Sequence, residues 1–101
     1  QLSTQGVIML SVTIDHHLER TTIEPTVKSL GIFDIGEEKE VLEKACKMVQ
    51  SALEEERQHT LDLINVESRV KLLFENFVFS ETKKHPYIMV HAKYKDEKQN
   101  N

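Results

Sequence analysis

Apolar positions alternate at the start of the chain. In VIMLSVTI, Val7 to Ile14, the residues Ile8, Leu10, Val12 and Ile14 share one face and Val7, Met9, Ser11 and Thr13 share the other. Period-two alternation rich in β-branched residues predicts a strand. Val7 and Met9 make the second face partly apolar at one end. The polar run Asp15 to Thr21 is too short for a helix and its return, so it predicts a hairpin loop. Thr22 to Phe33 is β-rich but interrupted by Pro25 and Gly31. A proline cannot donate to a sheet ladder, which confines Pro25 to an edge, a strand start or a bulge. The second strand is therefore expected from Thr26 to Leu30, with a bend at Gly31.

The period then changes. Val41, Leu42, Ala45, Met48, Val49, Ala52 and Leu53 recur at helical spacing and predict a helix from Glu37 to about Glu56. Asp34 or Gly36 would cap it, and Glu37 and Glu38 suit the positive end of its dipole. After a connection over Arg57 to Ile64, Asn65 is the expected N-cap of a second helix, Val66 to about Phe79. Its inward stripe is Val66, Val70, Leu73, Phe74 and Phe77. Pro86 disfavours helix at His85. Tyr87 to Lys93 predicts a third strand, with Ile88, Val90 and Ala92 on one face.

These elements give an α+β fold: a two-layer β-β-α-α-β arrangement in which two helices cover one face of a three-stranded sheet. Residues 1–94 form one domain, and 95–101 are expected to be a polar, disordered tail. A chain of 101 residues suits a single domain. No apolar run approaches the roughly 20 residues of a membrane span, so no membrane partner is expected. The single cysteine, Cys46, rules out an internal disulfide and fits a reducing cytosol. The formal net charge of -4 argues against attraction of nucleic acid by the whole domain and leaves only local patches.

Asp15-His16-His17 has the look of metal chemistry, and the same three letters head a family of phosphoesterases. Counting excludes that reading. Two-metal hydrolysis needs several carboxylates and histidines from separate strand ends, whereas this chain has only Asp15, Asp34, Asp62 and Asp96 as aspartates. A structural zinc site wants four Cys or His ligands at compact spacing. The adjacent histidines have no third ligand near them in sequence. Cys46 lies in a helical stripe with no histidine at a neighbouring helical position, so nucleophilic catalysis finds no pair. Gly6, Gly31 and Gly36 are scattered and form no phosphate loop. No catalytic residue, metal ligand or cofactor is assigned within this chain.

Two surface features remain. Lys83, Lys84 and His85 fall at the turn between the second helix and the third strand. Cations there complement the helix dipole; the functional reading is a contact with RNA phosphates or an acidic partner. On the sheet, Val7, Met9, Tyr87 and Met89 would share the face away from the helices and form a self-association surface.

The sequence also resembles a family. FSETKKHPYIMVHAKY, Phe79 to Tyr94, is similar to the end of bacterial ribonuclease J proteins, where a helix runs into a Thr, basic residues, a Pro and a last apolar strand. GVIMLSVTID and IEPTVKSLGIFDIGEEKEVLEKACKMV resemble the front of the same C-terminal domain. The resemblance spans Gly6 to Tyr94. It implies a cytoplasmic, zinc-dependent ribonuclease of RNA processing and decay, built from metallo-β-lactamase and β-CASP domains plus this small domain. Zinc would then belong to catalytic domains outside this chain. This part would support homo- or hetero-oligomerisation, with RNA bound by the full-length protein. The missing initiator Met before Gln1 fits a processed protein or a piece of a longer one. Ser29-Leu30-Gly31-Ile32 lacks the arginine usual in the family's second strand, as a divergent paralogue would. A free-standing ligand-binding module of ferredoxin-like type is the competing reading. It needs a helix directly after the first strand, and Asp15 to Thr21 leaves no room for one.

Overall fold

In the computed structural model, the described residues are 6–15, 20–29, 35–55 and 62–95. The elements are β1 (Val7–Asp15), β2 (Arg20–Ser29), α1 (Ile35–Glu55), α2 (Leu63–Thr82) and β3 (Tyr87–Tyr94). The three strands form one mixed sheet in the order β2-β1-β3, which makes the fold α+β with the expected β-β-α-α-β sequence. β1 is central. It pairs antiparallel with β2 through the hairpin and parallel with β3. A parallel neighbour requires a crossover, and α1 and α2 are that crossover.

The alternation of β1 is carried into three dimensions without slippage: its burial alternates residue by residue from Val7 to Asp15. Ile8, Leu10, Val12 and Ile14 are buried, joined by Ile23 from β2 and by Ile88 and Ala92 from β3. Against them pack Leu42, Ala45, Cys46, Val49 and Leu53 of α1 and Val66, Val70, Phe74 and Val78 of α2. One face of the sheet therefore holds the whole core. Phe74 is the largest fully buried side chain among the described residues.

Several boundaries differ from the sequence expectation, and Asp15, Arg20 and Thr21, expected in the hairpin loop, belong to paired strands. β2 starts at Arg20 rather than Thr26 and runs through Pro25. Pro25 sits opposite Leu10, beside a register irregularity between Met9 and Leu10, on an edge strand where a missing donor costs nothing. α2 starts earlier, because Asp62 rather than Asn65 is the N-cap. The Asp62 carboxylate accepts the Ile64 N–H at 3.0 Å. Ile64 is 71% exposed, while Leu63 beside it is partly buried against the core, so the stripe starts a turn earlier than Val70 and Phe74 suggest. α2 also continues a turn beyond Phe79, to Thr82. At α1, Gly36 lies inside the helix and is not its cap. The paired histidines His16 and His17, the Gly31 bend and the Asp34 cap lie outside the described residues. Lys95, placed in the tail by sequence, still donates its N–H to the Ile14 carbonyl at 2.8 Å, and the rest of the tail lies outside the described residues.

Phe74→Ala removes the ring from a site with no solvent exposure. It should lower stability by about 3–5 kcal/mol, read as a drop in the urea midpoint at unchanged m-value.

Candidate interaction surface

The helix-free face of the sheet is divided lengthwise. At one end the parallel register sets Val7 beside Tyr87 and Met9 beside Met89. Tyr87 is 59% and Met89 44% exposed, while Val7 and Met9 on the central strand are half-buried. At the other end the face is polar, with Ser11, Thr13, His91 and Lys93. The four residues named from alternation thus form two neighbouring cross-strand pairs. Parallel pairing of β1 with β3 is what brings them together, and nothing in the local sequence announces it. Lys71 of α2 reaches to the edge of this patch, with its ammonium 5.9 Å from the Tyr87 ring centroid.

The basic turn is built differently from its sequence appearance. Lys83 ends α2 in the left-handed region, φ 64° and ψ 21°, and its N–H donates to the Phe79 carbonyl at 2.8 Å. This is a helix C-cap position that usually takes glycine. Thr82 Oγ1 donates to the Val78 carbonyl at 2.7 Å and accepts the Lys84 N–H at 3.0 Å. The Lys83 ammonium lies 5.4 Å from the Phe79 ring centroid, and the His85 imidazole stacks on the same ring at 4.4 Å and 16°. Lys84 turns elsewhere. It lines an open groove of about 400 Å³ between the start of α1 and the end of α2, together with Glu37, Glu40, Val41, Lys44, Glu81 and Thr82. The three-residue basic run is therefore split. Lys83 and His85 gather on Phe79, and Lys84 faces three carboxylates.

The strand edges are features that residue patterning did not mark. On β2, the Thr21 N–H donates to Glu54 Oε2 at 3.4 Å and the Ile23 N–H to Gln50 Oε1 at 3.3 Å. Both acceptors come from one side of α1, a turn apart. On β3, the Ala92 N–H donates to Glu67 Oε2 of α2 at 2.7 Å, and His91 Nδ1 lies 3.9 Å from the same oxygen. A helix acid or amide four residues from a like partner is a common surface pattern, so sequence alone gives no reason to assign it to an edge.

Among the described residues no three His, Cys, Asp or Glu side chains converge as metal ligands do. Cys46 is buried in the core, and burial, with Glu24 and Glu43 adding to it, pushes its thiol up to about 11. No described helix is long and apolar enough to cross a membrane.

Hairpin, two-helix crossover and closing parallel strand run in the order that the resemblance implied. The family model described as "Ribonuclease J C-terminal domain" matches residues 1–93. The chain belongs to that family. A search of individually curated proteins finds no match. Family membership covers the framework: β1 to β3 and both helices lie within the matched span.

Burial holds Cys46 protonated well above the ordinary thiol range. Stability from this residue is complete below pH 9 and is lost as pH rises through about 11, because only the unfolded chain ionises readily in that window. Alkylation at pH 8 should be slow in buffer and fast in denaturant, read by mass spectrometry.

Proposed function

We propose that this domain is the non-catalytic assembly module of a ribonuclease J, a zinc-dependent cytoplasmic nuclease of RNA processing and decay whose metal and catalytic residues lie in other domains. The observation that carries the reading is the exposed apolar end of the helix-free face, Val7 and Met9 beside Tyr87 and Met89. A two-layer domain already has its core on the other face. Apolar side chains on the bare face add nothing to that core and suit a partner. Family membership supports a ribonuclease J parent. The partner is another ribonuclease J subunit, the same chain or a paralogue.

A second reading, direct contact with RNA, rests on Phe79, Lys83 and His85, an exposed ring with two nitrogen-bearing partners. Stacking and cation contacts of this kind suit single-stranded nucleic acid. The acids around Lys84 work against it, since Glu37, Glu40 and Glu81 repel phosphate.

Two measurements separate these readings. Sedimentation velocity of the full-length parent with and without the domain should show a smaller species on removal; unchanged assembly rejects the assembly role. Titration of fluorescent single-stranded RNA with the wild-type chain and with Lys83→Glu/Lys84→Glu should give the same weak binding for both. A loss of tenfold or more in the double variant would instead establish the RNA reading.

A further inference from the structure

The two edges of the sheet are treated unequally. In β2 the residues bonded to β1 alternate with residues whose backbone faces outward. Thr21 and Ile23 face outward, because their N–H groups go to Glu54 and Gln50. The next outward position before the register irregularity is Pro25, which has no N–H. Side-chain caps and a proline are devices that keep a sheet edge from pairing.

β3 is different. Tyr87 donates to the Gly6 carbonyl and Lys95 to the Ile14 carbonyl, both at 2.8 Å. In a parallel ladder alternate residues bond to the same neighbour, so Ile88, Val90 and Ala92 turn their backbone groups outward. Only the Ala92 N–H is covered, by Glu67. Ile88 and Val90 lie in the middle of the strand, away from β1, with no side chain bonded to their amides among the described residues. Lys71 reaches the Tyr87 ring but makes no hydrogen bond to the strand.

We infer that this open edge pairs with the same edge of a second copy, antiparallel about a two-fold axis through Met89, to give one continuous six-stranded sheet. The inference rests on the assembly reading and names its contact. The register follows from matching backbone groups. Ile88 lies opposite Val90 of the second copy and Val90 opposite its Ile88, and each pair exchanges both hydrogen bonds. Met89 then meets Met89 across the axis as a close non-bonded pair on the helix-free face, with Tyr87 opposite His91. The next outward pair sets Ala92, whose N–H is held by Glu67, against Pro86, which has no N–H. Pairing thus ends where the donors end, with none left unmatched. The caps at Thr21 and Ile23, with Pro25, oppose head-to-tail addition of β3 to β2, which would run on as a filament. The self-complementary contact closes at two copies.

The test uses the 101-residue chain with Met89→Lys, Met89→Glu and Val90→Pro. Met89 is exposed, and the Val90 N–H serves no bond within the fold, so unchanged circular dichroism is expected of all three. The wild type should dimerise in sedimentation equilibrium. Met89→Lys and Met89→Glu should each weaken the dimer at least tenfold, and their equimolar mixture should restore it as a heterodimer. Val90→Pro should abolish it. In the wild-type dimer, hydrogen exchange should slow at Ile88 and Val90 with rising concentration. A dimer that survives Val90→Pro and both Met89 charges overturns the edge contact but leaves the assembly reading standing. A wild-type chain that stays monomeric at millimolar concentration overturns the edge contact, and the assembly reading is then decided by sedimentation of the full-length parent. If Val90→Pro does not fold, the Met89 mixture alone decides: failure to restore the dimer rejects the register.

Discussion

The fold depends on β1 being sandwiched between two neighbours in its sheet and buried on one face. Ile8, Leu10, Val12 and Ile14 supply four buried residues in a row of alternate positions. Burial of each contributes about 1.5–3 kcal/mol against exposure, and a one-residue slip in register would turn all four to solvent. That penalty fixes the phase of β1. Through the ladders it also fixes which residues of β2 and β3 face the helices. The helix-free face follows from the same constraint: once Ile8 and Ile88 are inward, Val7, Met9, Tyr87 and Met89 must be outward and adjacent.

A three-stranded sheet with a central first strand has two edges, and each needs an answer to its unpaired backbone. The helices above give it. α1 lends Gln50 and Glu54 to β2, and α2 lends Glu67 to β3. These polar side chains do the work of missing neighbour strands, and no buried side-chain nitrogen or oxygen among the described residues is left without a partner. The ladder amides they accept from sit beside core positions, so each bond also tethers a helix laterally to the sheet. The tether is tighter on β3, at 2.7 Å, than on β2, at 3.3 and 3.4 Å.

Periodicity carried most of the architecture. The core stripe of α2 read from Val66, Val70 and Phe74 is the buried stripe, and the alternation of Val7 to Ile14 is the burial pattern. The errors arose where a residue's meaning depends on a distant element. Pro25 allows an edge, a strand start or a bulge; the strand order decides for an edge beside an irregularity, which moves the start of β2 back from Thr26 to Arg20. Asp62 is not marked as a cap by periodicity, because Leu63 and Ile64 are both apolar and only Leu63 packs on the core. The basic run Lys83-Lys84-His85 reads as one patch because neighbours in sequence were treated as neighbours in space. The left-handed Lys83 breaks that link and sends Lys84 towards α1. The apolar patch on the bare face was legible as a set of residues, but its adjacency required the parallel β1–β3 register.

Magnitudes decide how edge and face must share the work of association. Pairing over Ile88 and Val90 alone offers about four backbone hydrogen bonds at roughly 0.5–1.5 kcal/mol each in net terms. Bringing two chains together costs about 4–15 kcal/mol in lost freedom of motion. A bare edge therefore does not hold a dimer. In the proposed dimer Met89 would pack on Met89 of the second copy across the axis, with Tyr87 diagonal to that pair, and this adds apolar contact beside the backbone bonds. That contact would add undirected energy to the backbone bonds, while the edge would supply direction and register. The patch spans β1 and β3, so the proposed contact has apolar residues next to the open edge. Beside the closed β2 edge, the same apolar residues would have no backbone contact to orient a partner and would attract neighbours indiscriminately.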